Sequence, residues 1–153
     1  APHPGLLQLL GAVMHPHVGL IMQFCTGGSV ERWVHSRRFS YSQRFEILQQ
    51  VSSAVAHIHS VGIVHRDLKA DNILLLKELK QGEAPIAKVA DFGFGKQLDG
   101  HSTKSPLMPD GYEPAAWYAP EIAQNKVHGK AVDVFGFGVL SVHLALGPAD
   151  QAT

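Results

Sequence analysis

The chain has 153 residues, 45% of them hydrophobic, which supports one globular unit with a packed core and excludes a disordered tail. Thirteen Lys and Arg balance thirteen Asp and Glu, and the basic residues are scattered, so the charge pattern of a nucleic-acid or membrane-surface binder is missing. A single cysteine, Cys25, cannot form an internal disulfide, which agrees with a reducing, cytoplasmic setting and also fits a short piece of a secreted protein.

The opening segment, Ala1-Pro2-His3-Pro4-Gly5, has neither an initiator Met nor a charged head followed by an apolar stretch. It reads as the interior of a longer protein, which leaves membrane anchoring elsewhere in the parent open. Apolar segments Leu6–Val13 and Val18–Phe24 flank the turn signal Met14-His15-Pro16-His17, a pattern that predicts a β-hairpin. Gly27-Gly28 breaks it, and Ser29 is placed to cap a short helix through Ser36 with Trp33 on the buried side. Next, Ser40-x-x-Gln43 has the form of a capping box, and Ile47, Leu48, Val51, Ala54, Val55 and Ile58 recur at helical spacing up to His59. Gly62 ends that helix. Ile63-Val64 is a short extended piece, and Asn72–Leu76 and Ile86–Ala90 read as strands joined by the polar loop Lys77–Pro85. From Phe94 to Trp117 periodicity vanishes, a loop of a length that usually has a function or is disordered. Structure resumes at Ala119–Gln124 and in an apolar helix after Lys130. That helix is interrupted by Asp133 and His143 and is shorter than the roughly 20 residues of a membrane span, so the chain contains no membrane segment by this reading.

Transfer of a γ-phosphoryl group needs an oriented acceptor, cations over the phosphates, and oxygen ligands to hold those cations. The run His65-Arg66-Asp67-Leu68-Lys69-Ala70-Asp71-Asn72 supplies such groups close together, and Asp91-Phe92-Gly93 follows beyond the predicted ribbon. Asp67 is suited to orient an acceptor hydroxyl, and Lys69 to place an ammonium by the transferring phosphate. Asn72 and Asp91 offer the hard oxygens magnesium prefers. Each residue alone has a plainer reading, since an Asp in a loop is usually a turn former or a cap.

The two motifs, with Ala119-Pro120-Glu121 downstream and Met22-Gln23-Phe24-Cys25 before Gly27-Gly28 upstream, resemble the eukaryotic protein kinase catalytic domain over nearly the whole chain. The resemblance implies an α+β, two-lobe kinase fold truncated at both ends. Residues 1–24 would be a remnant of the small β lobe, and residues 25–153 the hinge and the upper part of the helical lobe. It implies Asp67 as catalytic base with Lys69 beside it, and ATP and Mg2+ as cofactors. Asn72 and Asp91 would be the metal ligands. Backbone groups of Gln23 and Cys25 would meet the adenine edge, with Met22 guarding the back pocket and Leu74 as floor; plain core packing is the alternative for these four. Asp133 resembles the helix residue that holds the catalytic loop's backbone, a helix-dipole partner being the other reading. Partners would be ATP and a protein substrate, without nucleic acid. Lys69 is similar to the catalytic loop of Ser/Thr kinases, whereas Pro114-Ala115-Ala116-Trp117 looks like the tyrosine-kinase pattern. The mixture resembles the tyrosine-kinase-like group, whose members mostly phosphorylate Ser and Thr. Ser102, Thr103 and Ser105 are candidate phosphosites in the long loop, with Arg66 as a phosphate partner.

No G-x-G-x-x-G and no Val-Ala-Ile-Lys-like strand precede the hinge, because the chain begins after their place. The chain by itself is therefore expected to transfer no phosphate at a measurable rate. Two rivals stand beside the enzyme: a kinase-like domain that binds nucleotide or protein without transfer, and an unrelated metal-binding module drawing on the ten histidines. The second is disfavoured because no zinc-type Cys/His spacing occurs.

Overall fold

The computed structural model describes residues 2–34, 39–80, 82–93, 95–98, 117–124 and 126–146. Strands β1 (Leu9–Val13) and β2 (Gly19–Met22) pair antiparallel, the hairpin expected around residues 14–17. Leu9, Leu10, Val18, Leu20 and Met22 are half or more exposed on it.

Ser29 does not cap the helix that follows. It lies in β3 (Gly28–Ser29), which pairs antiparallel with β5 (Ile73–Leu75), and Val30 continues the contact by donating to the Ile73 carbonyl at 2.7 Å. Pairing with a distant, buried strand has overridden a local capping preference. Helix α1 therefore starts at Glu31 and is described to Val34 (Glu31–Val34), and its expected continuation to Ser36 lies outside the described residues. Trp33 is partly buried as anticipated, with its indole N–H donating to the Gly27 carbonyl at 2.6 Å.

Helix α2 (Tyr41–Ser60) is the organising element. Its capping box is formed in both directions: Gln43 N donates to Ser40 Oγ at 3.2 Å, and Ser40 N donates to Gln43 Oε1 at 3.0 Å. At the other end the amides of Val61 and Gly62 close onto Ile58 and His59, and Gly62 turns the chain with φ +78°, a conformation that strains any residue with a Cβ. The buried face of α2, Ile47, Val51, Ala54 and Val55, packs on the ribbon of β5 and β6 (Ala87–Val89). Two glutamines of the same helix hold the ribbon's far turn. Gln43 Nε2 donates to the carbonyls of Lys80 and Glu83, while Gln50 pairs with the Pro85 carbonyl and the Ala87 amide. The segment Gly5–Leu7 lies along the outer edge of β6, exchanging hydrogen bonds with Val89.

A separate two-stranded pairing joins β4 (Ile63–Val64) to β7 (Lys96–Gln97). Strand β7 falls in the stretch read from sequence as irregular, since two residues are too few to show a period. Residues 99–116 of that loop, including Ser102, Thr103, Ser105 and Pro114-Ala115-Ala116, lie outside the described residues. Helices α3 (Pro120–Ala123) and α4 (Ala131–Leu146) follow. Among the described residues no helix is long and apolar enough to cross a membrane.

Among the described residues two apolar clusters form. The larger joins α2 and the ribbon to Val30, Val34, Leu140 and Leu144; the smaller comprises Val64, Leu98, Ala119, Ile122 and Val132 with Tyr118 against it. Helix α4 approaches the loop after β4 so closely that a Cβ on Gly136 would sit 2.9 Å from the Leu68 carbonyl oxygen and 3.2 Å from its Cβ. Backbone cannot yield as a flexible side chain does, so Gly136→Ala should destabilise the fold by about 1–3 kcal/mol. The expected result is a lower urea midpoint at unchanged slope, and an unmoved midpoint would mean that α4 can back away at no cost.

Candidate active site

The segment His65–Asn72 runs from β4 into a short 3-10 turn (Ala70–Asn72) and then β5, and buried partners hold it from two directions. From α4, Asp133 reaches in with its carboxylate fully buried. Oδ1 accepts the Arg66 amide at 2.7 Å, and Oδ2 accepts the His65 amide at 2.9 Å and His59 Nε2 at 2.7 Å. Asp133 therefore holds the loop's backbone, as expected, while also sitting in the first turn of α4 where the helix dipole favours a carboxylate. His59, read from sequence only as the end of a helix, is the third donor to it.

From the ribbon side, His65 Nε2 lies 2.9 Å from the Ala90 carbonyl. A carbonyl oxygen only accepts, so Nε2 carries the proton, and Nδ1 is left to accept the Asp67 amide at 3.3 Å. Arg66 takes up φ +70° to make this turn, and burial pulls its guanidinium below the ordinary pKa, with Asp133 acting in the opposite sense.

These supports fix the Asp67 carboxylate, which is 2% exposed. Asn72 Nδ2 donates to both its backbone carbonyl and its Oδ2 at 2.8 Å, and Lys69 Nζ stands 2.8 Å from Oδ2 and 3.1 Å from Oδ1. Sequence reasoning did not find the fourth contact: Tyr118 donates its hydroxyl to Oδ1 at 3.1 Å. Nothing in a tyrosine 51 residues downstream signals such a bond.

Ala90 N donates to the Asn72 carbonyl at 2.8 Å, so the ribbon brings Asn72 and Asp91 to one end, as the two-strand reading anticipated. Asp91 has φ +59°, is exposed, and accepts the Gly93 amide on Oδ1 at 3.1 Å. Phe92 lies against His65, ring centroids 4.9 Å apart. Met22 ends β2, half exposed. Gln23 donates its N–H to the Gln8 carbonyl at 2.9 Å, and the Cys25 carbonyl accepts the Gly28 amide at 3.2 Å. Burial raises the Cys25 thiol above its ordinary pKa, with Lys88 opposing. The next residues run beside β5, Thr26 N meeting the Leu76 carbonyl and Gly27 N that of Leu75. Leu74, between buried Ile73 and Leu75, points to the opposite face of the ribbon from the core. A cavity lined by Pro2, His3, Leu6, Gln8 and Lys88 adjoins these residues, since the Gln8 carbonyl accepts the Gln23 amide and Lys88 is the cross-strand partner of Leu74.

The chain belongs to the protein kinase domain family, which matches residues 1–149. It is 30% identical over 153 residues to the serine/threonine-protein kinase pakA of Talaromyces marneffei, covering 99% of this chain and 22% of that protein. It is 32% identical to human mitogen-activated protein kinase kinase kinase 10 (95% of this chain, 15% of that protein) and 34% identical to human calcium/calmodulin-dependent protein kinase type 1B (95% and 40%). The chain thus spans well under half the length of these relatives. Its α+β architecture is that of a protein kinase fold, and the first of these relatives is by name a serine/threonine-protein kinase.

Proposed function

We propose that the protein containing this chain transfers the γ-phosphoryl group of ATP, with Mg2+, to Ser or Thr hydroxyls of protein substrates. The observation that carries this reading is the Asp67 carboxylate, buried yet presented beside a lysine ammonium and held by rigid donors. In the Mechanism so proposed, Asp67 accepts and orients the acceptor's hydroxyl proton, and Lys69, on a long and partly exposed stem, turns its ammonium toward the transferring phosphate. Both amide hydrogens of Asn72 serve Asp67, which leaves its carbonyl oxygen as the end suited to a cation, and the exposed Asp91 carboxylate supplies a second hard oxygen donor. These residues fit magnesium, which when bound neutralises charge on the ATP phosphates. The Gln23 carbonyl and the Cys25 N–H are a donor–acceptor pair for the adenine edge, with Met22 and Leu74 as apolar neighbours. Residues 1–24 then belong to the small lobe, and residues 25–153 to the hinge and helical lobe. Regulation through Ser102, Thr103 or Ser105 is part of the same proposal.

The test is to incubate the full-length protein with γ-labelled ATP, Mg2+ and a protein substrate, and to identify the labelled amino acid after hydrolysis. Labelled Ser or Thr is expected. Nucleotide binding without transfer would instead favour the scaffold reading. The metal assignment makes its own prediction: Asp91→Ala should weaken Mg2+-dependent ATP binding at least about tenfold by calorimetry and leave the melting temperature nearly unchanged, because the lost carboxylate is exposed. Binding that is equally dependent on Mg2+ after the substitution would remove Asp91 from the metal role.

A further inference from the structure

We propose that Tyr118 is a positioning residue for the Asp67 carboxylate, tying the base to the segment that leads into α3. The inference rests on the kinase reading above and concerns a residue that reading does not use.

A carboxylate offers about four lone-pair sites. At Asp67 all four are engaged: Asn72 and Lys69 on Oδ2, Lys69 and Tyr118 on Oδ1. An acceptor hydroxyl must therefore displace one donor. Asn72 is buried, and its amide also binds the Asp67 backbone, so it stays. Lys69 has a flexible four-carbon stem and a side chain 25% exposed, and it is the donor that can leave for a phosphate.

Tyr118 is of the first kind. Its ring packs against the cluster of Val64, Leu98, Ala119, Ile122 and Val132. Two members of that cluster precede loop-holding residues directly, Val64 before His65 and Val132 before Asp133. The ring is thus anchored to the same elements that hold the catalytic loop's backbone, and a tyrosine hydroxyl can shift little once its ring is fixed. With Lys69 turned away, Asn72 and Tyr118 remain as one rigid donor on each carboxylate oxygen. They fix the plane of the carboxylate and leave a site on it for the incoming hydroxyl.

The experiment compares wild type, Tyr118→Phe, Asp67→Asn and the double variant in the full-length protein, with Phe retaining ring volume and packing. Tyr118→Phe is expected to lower kcat about tenfold while the ATP KM, ATP affinity and melting temperature stay near wild type, because orientation is lost and binding is not. In the Asp67→Asn background the same substitution should cost nothing further, since the group it orients is gone. A parallel fall in kcat, ATP affinity and melting temperature would make Tyr118 a packing residue and overturn the inference. A rise in kcat would overturn it too, because the hydroxyl would then be a plug in the acceptor's place. Full activity of Tyr118→Phe beside a silent Asp67→Asn sinks this inference alone, whereas a wild-type protein that transfers no phosphate sinks the kinase reading and the inference with it.

Discussion

Asp67→Asn in the full-length protein should cut phosphoryl transfer by about a thousandfold while ATP affinity stays within about twofold of wild type. Asparagine keeps the shape but replaces one acceptor oxygen with an NH2 group. Oδ1 and Oδ2 each receive a donor from outside the residue, from Tyr118 and from Asn72, and Lys69 approaches both. Turned toward Asn72 the new amide sets N–H against N–H; turned toward Tyr118 it can donate to the hydroxyl oxygen, but it then faces the Lys69 ammonium and in either case has no carboxylate oxygen to take up a proton. The acceptor hydroxyl then has no base and no fixed orientation. The residues proposed for adenine and metal are untouched, which is why binding should survive. Single-turnover transfer and calorimetric ATP binding measured on one preparation decide the matter. Joint loss of both would mean that the loop has collapsed, and retained transfer would remove Asp67 from the base role.

Asp133→Ala should be the most destabilising single change at the site, by roughly 3–5 kcal/mol. The carboxylate is wholly buried, and its removal strands two backbone amides and the His59 ring without an acceptor. Water would have to enter or the loop would have to move, and either breaks the turn at Arg66 that sustains φ +70°. Denaturant unfolding gives the magnitude, and hydrogen exchange gives the location: the amides of His65 and Arg66 should lose protection beyond the general decrease. Asp133→Asn, which keeps one acceptor, should fall between. A variant as stable as wild type, with both amides still protected, would show that the loop is held by its other contacts.

Much of this site was legible because its parts are local in sequence. The capping box of α2 needs only Ser40 and Gln43, and the ribbon of β5 and β6 announces itself by two apolar runs about a polar loop. The run from His65 to Asn72 holds Asp67, Lys69 and Asn72 close together, and the ribbon explains why Asp91 returns to them. What was not legible depends on partners far along the chain. Ser29 read as a cap because its pairing with Leu74 leaves no local mark. Strand β7 is too short to have a period, and the bonds from His59 to Asp133 and from Tyr118 to Asp67 arise only once separate helices and strands have packed together. Asp133 was recognised only through its likeness to a known helix position; its burial and its three donors belong to the fold.

The His65 ring has a mechanical consequence. With one nitrogen on the Ala90 carbonyl and the other on the Asp67 amide, it is a strut between the chain entering Asp91 and the backbone of the base. A displacement of either segment must carry the other along or break a buried hydrogen bond, at about 1–3 kcal/mol for a group left unsatisfied. Small excursions of the Asp91 segment are therefore transmitted to Asp67 rather than absorbed between them, through the imidazole on one side and through the Ala90–Asn72–Asp67 hydrogen bonds on the other.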